Sequence, residues 1–183
     1  MSETPDSASD GGSSLLEELP DPTADYADPE ERPPLLSYLT FMSIFGTLLA
    51  AALAIARRQG RELPERVSAG QLLLIGTASH KLSRIVSKDK VTSPLRAPFT
   101  ELEGKGGPAE FEERSRGTGV RKAIGELLIC PFCLGLWVIA GFSVGLLFAP
   151  RVTRFVASLF AALTISDFLQ IAYKAAEEKG LGD

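Results

Sequence analysis

The stretch LLSYLTFMSIFGTLLAAALAIA, Leu35 to Ala56, runs for 22 residues without a charged side chain. A second, LLICPFCLGLWVIAGFSVGLLFAP, Leu127 to Pro150, does so for 24. An α-helix rises about 1.5 Å per residue, so either run covers the roughly 30 Å hydrocarbon layer of a bilayer. A water-soluble helix keeps one polar face, and two runs without one in a chain of 183 residues point to lipid. A cleaved signal peptide fits the first run poorly, because 34 residues of acidic leader precede it and no basic segment does. The sequence predicts an integral membrane protein.

The overall charge of −4 averages two unlike parts. Residues 1–34 hold ten acidic side chains against one basic, Arg32, while the remainder holds 18 basic against 13 acidic. The leader is poor in apolar residues and cannot bury enough surface to offset the entropy of ordering. It reads as a disordered acidic tail with at most a transient helical turn at Leu15–Leu19, a solvated leader that binds neither nucleic acid nor anionic lipid.

Two weaker segments accompany the strong pair. Val67 to Val86 begins with 13 uncharged residues and continues through His80, Lys81 and Arg84, whose stems can stretch toward head groups. Val152 to Tyr173 carries Arg154 near one end and Asp167 toward the other. The expected fold is therefore all-α and polytopic, with four transmembrane helices at about 35–56, 67–86, 127–149 and 152–173, and a cytosolic loop over 87–126. Four spans with both termini inside leave 13 Lys or Arg inside and 6 outside, the conflict being Arg57, Arg58, Arg61 and Arg66 in the first loop. A three-span alternative, with residues 67–86 lying at the interface, leaves 16 inside. Both versions keep the central loop cytosolic in a bacterial cytoplasmic membrane.

Small residues recur at helical spacing: Gly46, Ala50 and Ala54 on the first helix, Gly141 and Gly145 on the third. Such faces let backbones approach where lipid supplies no hydrophobic drive. Packing within the chain is the first expectation; a homo-oligomer is the second.

Cys130-Pro131-Phe132-Cys133-Leu134-Gly135-Leu136-Trp137 is the distinctive local sequence. The C-x-x-C spacing brings two sulfurs within reach of each other or of one metal ion. Pro131 suits the first turn of a helix, which places Cys130 at its cap, where the helix terminus favours a thiolate and the apolar surroundings oppose one. Zinc needs more ligands than the pair supplies, and His80 is the one further soft donor. The plainer reading is two cysteines packed as small hydrophobes, with no cofactor. In the four-span arrangement His80, Lys81, Arg84, Cys130, Cys133, Asp167 and Gln170 converge in one polar layer. Asp167 then needs a partner, with Arg84 expected first and Lys81 second, as a structural ion pair.

Lys81, Arg84 and Lys88 form a basic helical stripe suited to anionic lipid. The prolines of Thr92–Phe99 end that helix. Glu103 to Gly119, rich in Gly and charge, is expected to be a mobile surface loop; Gly104–Gly107 lacks the context of a phosphate loop.

Two blocks carry a resemblance. One is Ala78-Ser79-His80-Lys81-Leu82-Ser83-Arg84-Ile85-Val86-Ser87-Lys88-Asp89-Lys90-Val91 with Leu95-Arg96-Ala97-Pro98-Phe99; the other is Cys130 to Trp137. Together, over about Val67 to Tyr173, they resemble a bacterial membrane-protein family known as domain of unknown function 1360, with a branch labelled as a sporulation protein. The resemblance implies that Arg84, Asp89, Arg96, Cys130, Cys133, Gly135 and Trp137 are family-type positions. It implies no reaction.

With one histidine, no nucleophile–base arrangement and no complete metal set, the chain is expected to be a non-enzymatic membrane protein that meets lipid or an unknown membrane or cytosolic protein. A sporulation role rests on the resemblance. The alternatives are a membrane thiol site, redox-active or metal-binding, on Cys130 and Cys133, and a small channel or holin-like pore around Asp167.

Overall fold

The computed structural model describes Tyr26 and residues 33–180. The expected disorder and helical turn of the acidic leader fall almost wholly outside the described residues. Helix α1, Leu35–Arg58, follows Pro33-Pro34 and ends where Gly60 turns left-handed (φ 68°). That turn lets the Arg61 amide donate back to the Ala56 carbonyl at 2.9 Å, a Gly-dependent helix stop. Helix α2, Ala69–Lys88, starts at Ser68, whose Oγ accepts the Gln71 amide at 3.2 Å. After α2 come a 3-10 turn, Lys90–Thr92, and one helical turn, Ser93–Arg96. Strands β1, Thr100–Lys105, and β2, Phe111–Ser115, pair antiparallel with an irregularity between Leu102 and Gly104. Helices α3, Gly119–Ile129, α4, Pro131–Phe148, and α5, Pro150–Gly180, follow.

The all-α expectation is therefore corrected: the fold is mostly helical with a small two-stranded sheet. The segment expected as a mobile loop is a hairpin. In β2 half-buried Phe111, Glu113 and Ser115 alternate with exposed Glu112 and Arg114, the period-two pattern of a strand with one face covered. The expected helix over 127–149 is broken at Cys130, which is extended (φ −100°, ψ 101°). The residue before a proline avoids the helical region, so Leu127–Ile129 finish α3 and Pro131 starts α4.

Among the described residues three helices, α1, α4 and α5, are long and apolar enough to cross a membrane. Within the protein, α1 buries only Ser37 and Ala56, and α4 only Phe142. Leu36, Met42, Leu48, Phe155 and Ile171 stand on the surface. Apolar side chains left uncovered on several sides of a helix suit hydrocarbon, not water.

Helix α2, more polar, packs lengthwise along both α4 and α5. The Thr164 Oγ donates to the Thr77 carbonyl and Lys81 meets Asp167, so α2 runs in the same direction as α5. Gly145 faces Thr153 across the α4–α5 turn: a Cβ added there would lie 2.7 Å from Thr153 Oγ1, so the hairpin closes only because position 145 is bare. Helix α1 runs with α4, joined by Phe45 on Trp137 at one level and Arg61 on the Leu147 carbonyl (2.6 Å) at the end. The buried apolar cluster is Ile75, Ala78, Phe142 and Ala157, where α2, α4 and α5 meet.

Candidate functional site

Two arrangements bring the sequence-predicted residues together. The first is a polar cap where the C-terminal end of α2 meets the hairpin. Arg96, fully buried, reaches it from the helical turn before β1. Its Nε and Nη2 donate to the two carboxylate oxygens of Glu113 at 2.8 and 3.0 Å. Its Nη1 donates to the Val86 carbonyl and Thr92 Oγ1, both at 2.7 Å, and Nη2 also to the Asp89 carbonyl at 3.1 Å. A guanidinium has five N–H bonds, and all five have acceptors here. Two of those acceptors, the Val86 and Asp89 carbonyls, belong to the chain leaving α2, where a helix end leaves carbonyls without internal partners. Thr100 Oγ1 completes the shell on Glu113 at 3.0 Å.

Around this centre the basic face of α2 meets the acid-rich segment Glu110–Glu113, which leads into β2. Arg84 is bidentate to Glu110 (2.9 Å each) and Lys88 holds Glu112 at 2.9 Å. The stripe expected to attract anionic lipid is thus largely matched inside the protein. Asp89 sits beside this network without an ion pair of its own among the described residues. Burial pushes its carboxyl above the ordinary value; Glu110 and Asp167 add to the rise, and Lys81 and Arg96 oppose it.

Asp167 takes Lys81 at 2.6 Å, not Arg84, which was the expected first partner. The reason is angular. Thr77 and Lys81, four apart, share the face toward α5, whereas Arg84 and Lys88, four apart, share the face toward the hairpin. His80 is exposed and Gln170 pairs with Ser166 of its own helix. Of the residues expected to share one polar layer, the structure joins Lys81 with Asp167 and Cys130 with Cys133.

The second arrangement is at the start of α4. Cys130 and Cys133 are joined in a disulfide. Cys130 caps the helix, its sulfur accepting the Cys133 amide at 3.1 Å. In this state neither sulfur is a thiolate, and among the described residues no three His, Cys, Asp or Glu side chains group as a metal site. Cys133 forms part of the wall of a cavity of about 480 Å³ between α1, α3 and α4. Phe41, Phe45 and Trp137 supply aromatic wall, with Phe45 set edge-on to Trp137 at 5.1 Å between ring centres. The polar element is Tyr38, whose hydroxyl donates to the Glu126 carboxylate. Gly135 is not crowded: a Cβ there would meet nothing within 4 Å.

Sequence reasoning missed Glu110, Glu112, Glu113, Thr92 and Thr100, which complete the cap, and Tyr38 and Glu126, which line the cavity. The available signal was the alternation in Glu110–Ser115, set opposite in charge to the α2 stripe.

The family described as protein of unknown function (DUF1360) matches residues 74–173, more than half of the 183-residue chain. The matched region contains both arrangements except for the α1 side of the cavity. "Sporulation protein YjcA" of Bacillus subtilis (strain 168) is 40% identical over 76 residues, covering 40% of this chain and 64% of the relative. The chain thus spans less than two thirds of that relative's length. No solved structure matches.

Proposed function

Because the chain belongs to the DUF1360 family of proteins of unknown function, we propose from its own geometry that it is a four-span protein of the bacterial cytoplasmic membrane, using its ion-paired cap as a docking platform. Helices α1, α2, α4 and α5 are the spans, both termini are inside, and the cap over residues 89–130 is cytosolic. Support for α2 as the fourth span is its packing lengthwise against two apolar helices, with Lys81 neutralised by Asp167. A charge at membrane depth is tolerated when it faces the bundle and is paired.

The observation that carries the docking role is apolar exposure on a tied-down cap. Val91, Leu95 and Leu102 are 64–81% exposed, although the segment around them is anchored by Arg96 and its acceptors. Side chains of this kind lying outside the spans suit a protein partner or the membrane interface. A photo-crosslinker at Leu95 in living cells tests this. A discrete adduct, lost when Arg96→Ala loosens the cap, is expected; no adduct, or one indifferent to that substitution, contradicts it. A part in spore formation comes with the relative's name. Deletion from a spore-forming host is then expected to lower the yield of heat-resistant spores.

A second reading is favoured by the disulfide: Cys130 and Cys133 form a thiol–disulfide exchange site. Zinc binding is its reduced-state variant, with Cys130, Cys133 and His80 as the available donors, although His80 lies on a different helix and is exposed. The pore reading loses its polar lining to the Lys81–Asp167 pair.

A further inference from the structure

We infer that the cavity between α1, α3 and α4 is a quinone site, in which a lipid-soluble quinone oxidises the Cys130–Cys133 dithiol; this rests on the thiol–disulfide reading above. Four observations meet at one place. Cys133, one half of the disulfide, lies in the cavity wall. Its volume of about 480 Å³ falls within the roughly 300–1,000 Å³ typical of small-molecule sites. The wall is aromatic and apolar, with the Phe45–Trp137 pair offering ring faces and edges to a flat ligand. One polar pair, Tyr38 with Glu126, stands in the same wall; the Tyr38 hydroxyl now donates to Glu126 and becomes available to a ligand oxygen once that carboxylate takes up a proton.

The disulfide itself argues for chemistry over scaffolding. Its sequence separation is 3, so it closes a minimal loop, and disulfide stabilisation grows with loop length. With the cap cytosolic, the bond lies on the side where thiols are kept reduced and disulfides are usually catalytic or redox-sensing. Cys133 is also exposed on the protein surface, within reach of an exchanging thiol. A ligand for this place must be apolar, resident in the membrane and able to accept two electrons, which describes a quinone.

The reaction balances. Two S–H bonds break and one S–S bond forms, releasing two electrons and two protons. The quinone takes both electrons, and each of its carbonyl oxygens gains one proton, giving the hydroquinone. Tyr38 and Glu126 are placed to pass a proton to one oxygen. A protein or small-molecule dithiol returns the pair to its reduced state by exchange.

Trp137 is the one tryptophan in the chain, so its fluorescence reports on this cavity alone. Full-length protein in detergent micelles is titrated with ubiquinone-1 while tryptophan emission is followed. The protein is then reduced with dithiothreitol, desalted and mixed with ubiquinone-1 while thiols and hydroquinone are counted. Saturable quenching is expected, with one hydroquinone formed per two thiols lost. Phe45→Ala, which keeps the reporter, is expected to weaken saturation and slow oxidation at least tenfold while leaving oxidation by diamide unchanged. Quenching that rises linearly without saturation, as simple partition into micelles gives, overturns the quinone site. So does a reduced pair that diamide oxidises and ubiquinone-1 leaves alone; in that case the thiol–disulfide reading survives. A pair that neither dithiothreitol reduces nor diamide reoxidises removes both.

Discussion

Replacing Arg96 with alanine strips five hydrogen bonds from the centre of the cap and leaves the Glu113 side chain, 6% exposed, without its counter-charge. Removing one partner of a buried ion pair costs about 3–5 kcal/mol, because the surviving charge stays desolvated. At about 1.36 kcal/mol per factor of ten, the opening constant of the cap rises roughly 150- to 5,000-fold. The loss falls locally, since the apolar helices do not depend on Arg96. Hydrogen exchange of the β1 and β2 amides in detergent reads that constant, because exchange through local opening follows the population of the open form. Protection in α4 and α5 is expected to stay near that of the parent. The double variant Arg96→Met, Glu113→Leu removes both charges and should recover the part of the loss due to the unpaired Glu113, while the Val86 and Asp89 carbonyls stay without their donor. Arg96→Ala opening within about threefold of the parent would refute the reasoning, since it corresponds to well under 1 kcal/mol. A double variant no more protected than the single would refute the attribution to Glu113.

Gly145→Ala is expected to lower the thermal unfolding temperature, because the added methyl meets Thr153 Oγ1 at 2.7 Å, while Gly141→Ala, with nothing within 4 Å, is expected to be neutral; melts of the two variants side by side check this. Asp89→Asn is expected to stabilise the cap, and more so as pH rises. The folded carboxyl is raised above its ordinary 3.8, so the folded state holds this proton more tightly than the unfolded one. Its favourable contribution is present at low pH and lost as pH rises through the raised value. Cap protection measured against pH should therefore converge for parent and variant near about pH 4 and diverge above it. Lys81→Met leaves Asp167 unpaired among the helices and is expected to reduce the yield of folded protein, while Lys81→Met with Asp167→Leu restores it; detergent-extracted yield on size exclusion is the measure.

The helices were legible in the sequence where their physics is one-dimensional. Absence of charge over more than twenty residues marks α1 and α4 with no knowledge of neighbours, and Pro131 marks the start of α4 in its own right. The hairpin was not legible, because β2 has five residues, four of them polar or charged, and a strand that short gains its identity from what covers it. Nor was the partner of Asp167. Lys81, Arg84 and Lys88 look like one stripe at spacings of three and four, yet the faces toward α5 and toward the hairpin part company between Lys81 and Arg84. The acidic partners Glu110, Glu112 and Glu113 lie 17 to 26 residues from the cations they meet. The chain must turn back before charge complementarity acts. Among the candidate residues, Cys130 and Cys133 were marked by spacing alone, but the cavity beside them was not, since it needs Phe45 and Tyr38 from a helix nearly a hundred residues earlier.

The account turns on α2 crossing the bilayer with its neighbours. Single cysteines placed at Glu62 in the first loop and at Lys105 in the hairpin, in a background with Cys130 and Cys133 changed to alanine, measure this directly. Intact spheroplasts are treated with a membrane-impermeant maleimide, before and after lysis. Four spans predict labelling at position 62 in intact spheroplasts and at position 105 only after lysis. Labelling of both positions only after lysis would place α2 on the inner surface and contradict the account.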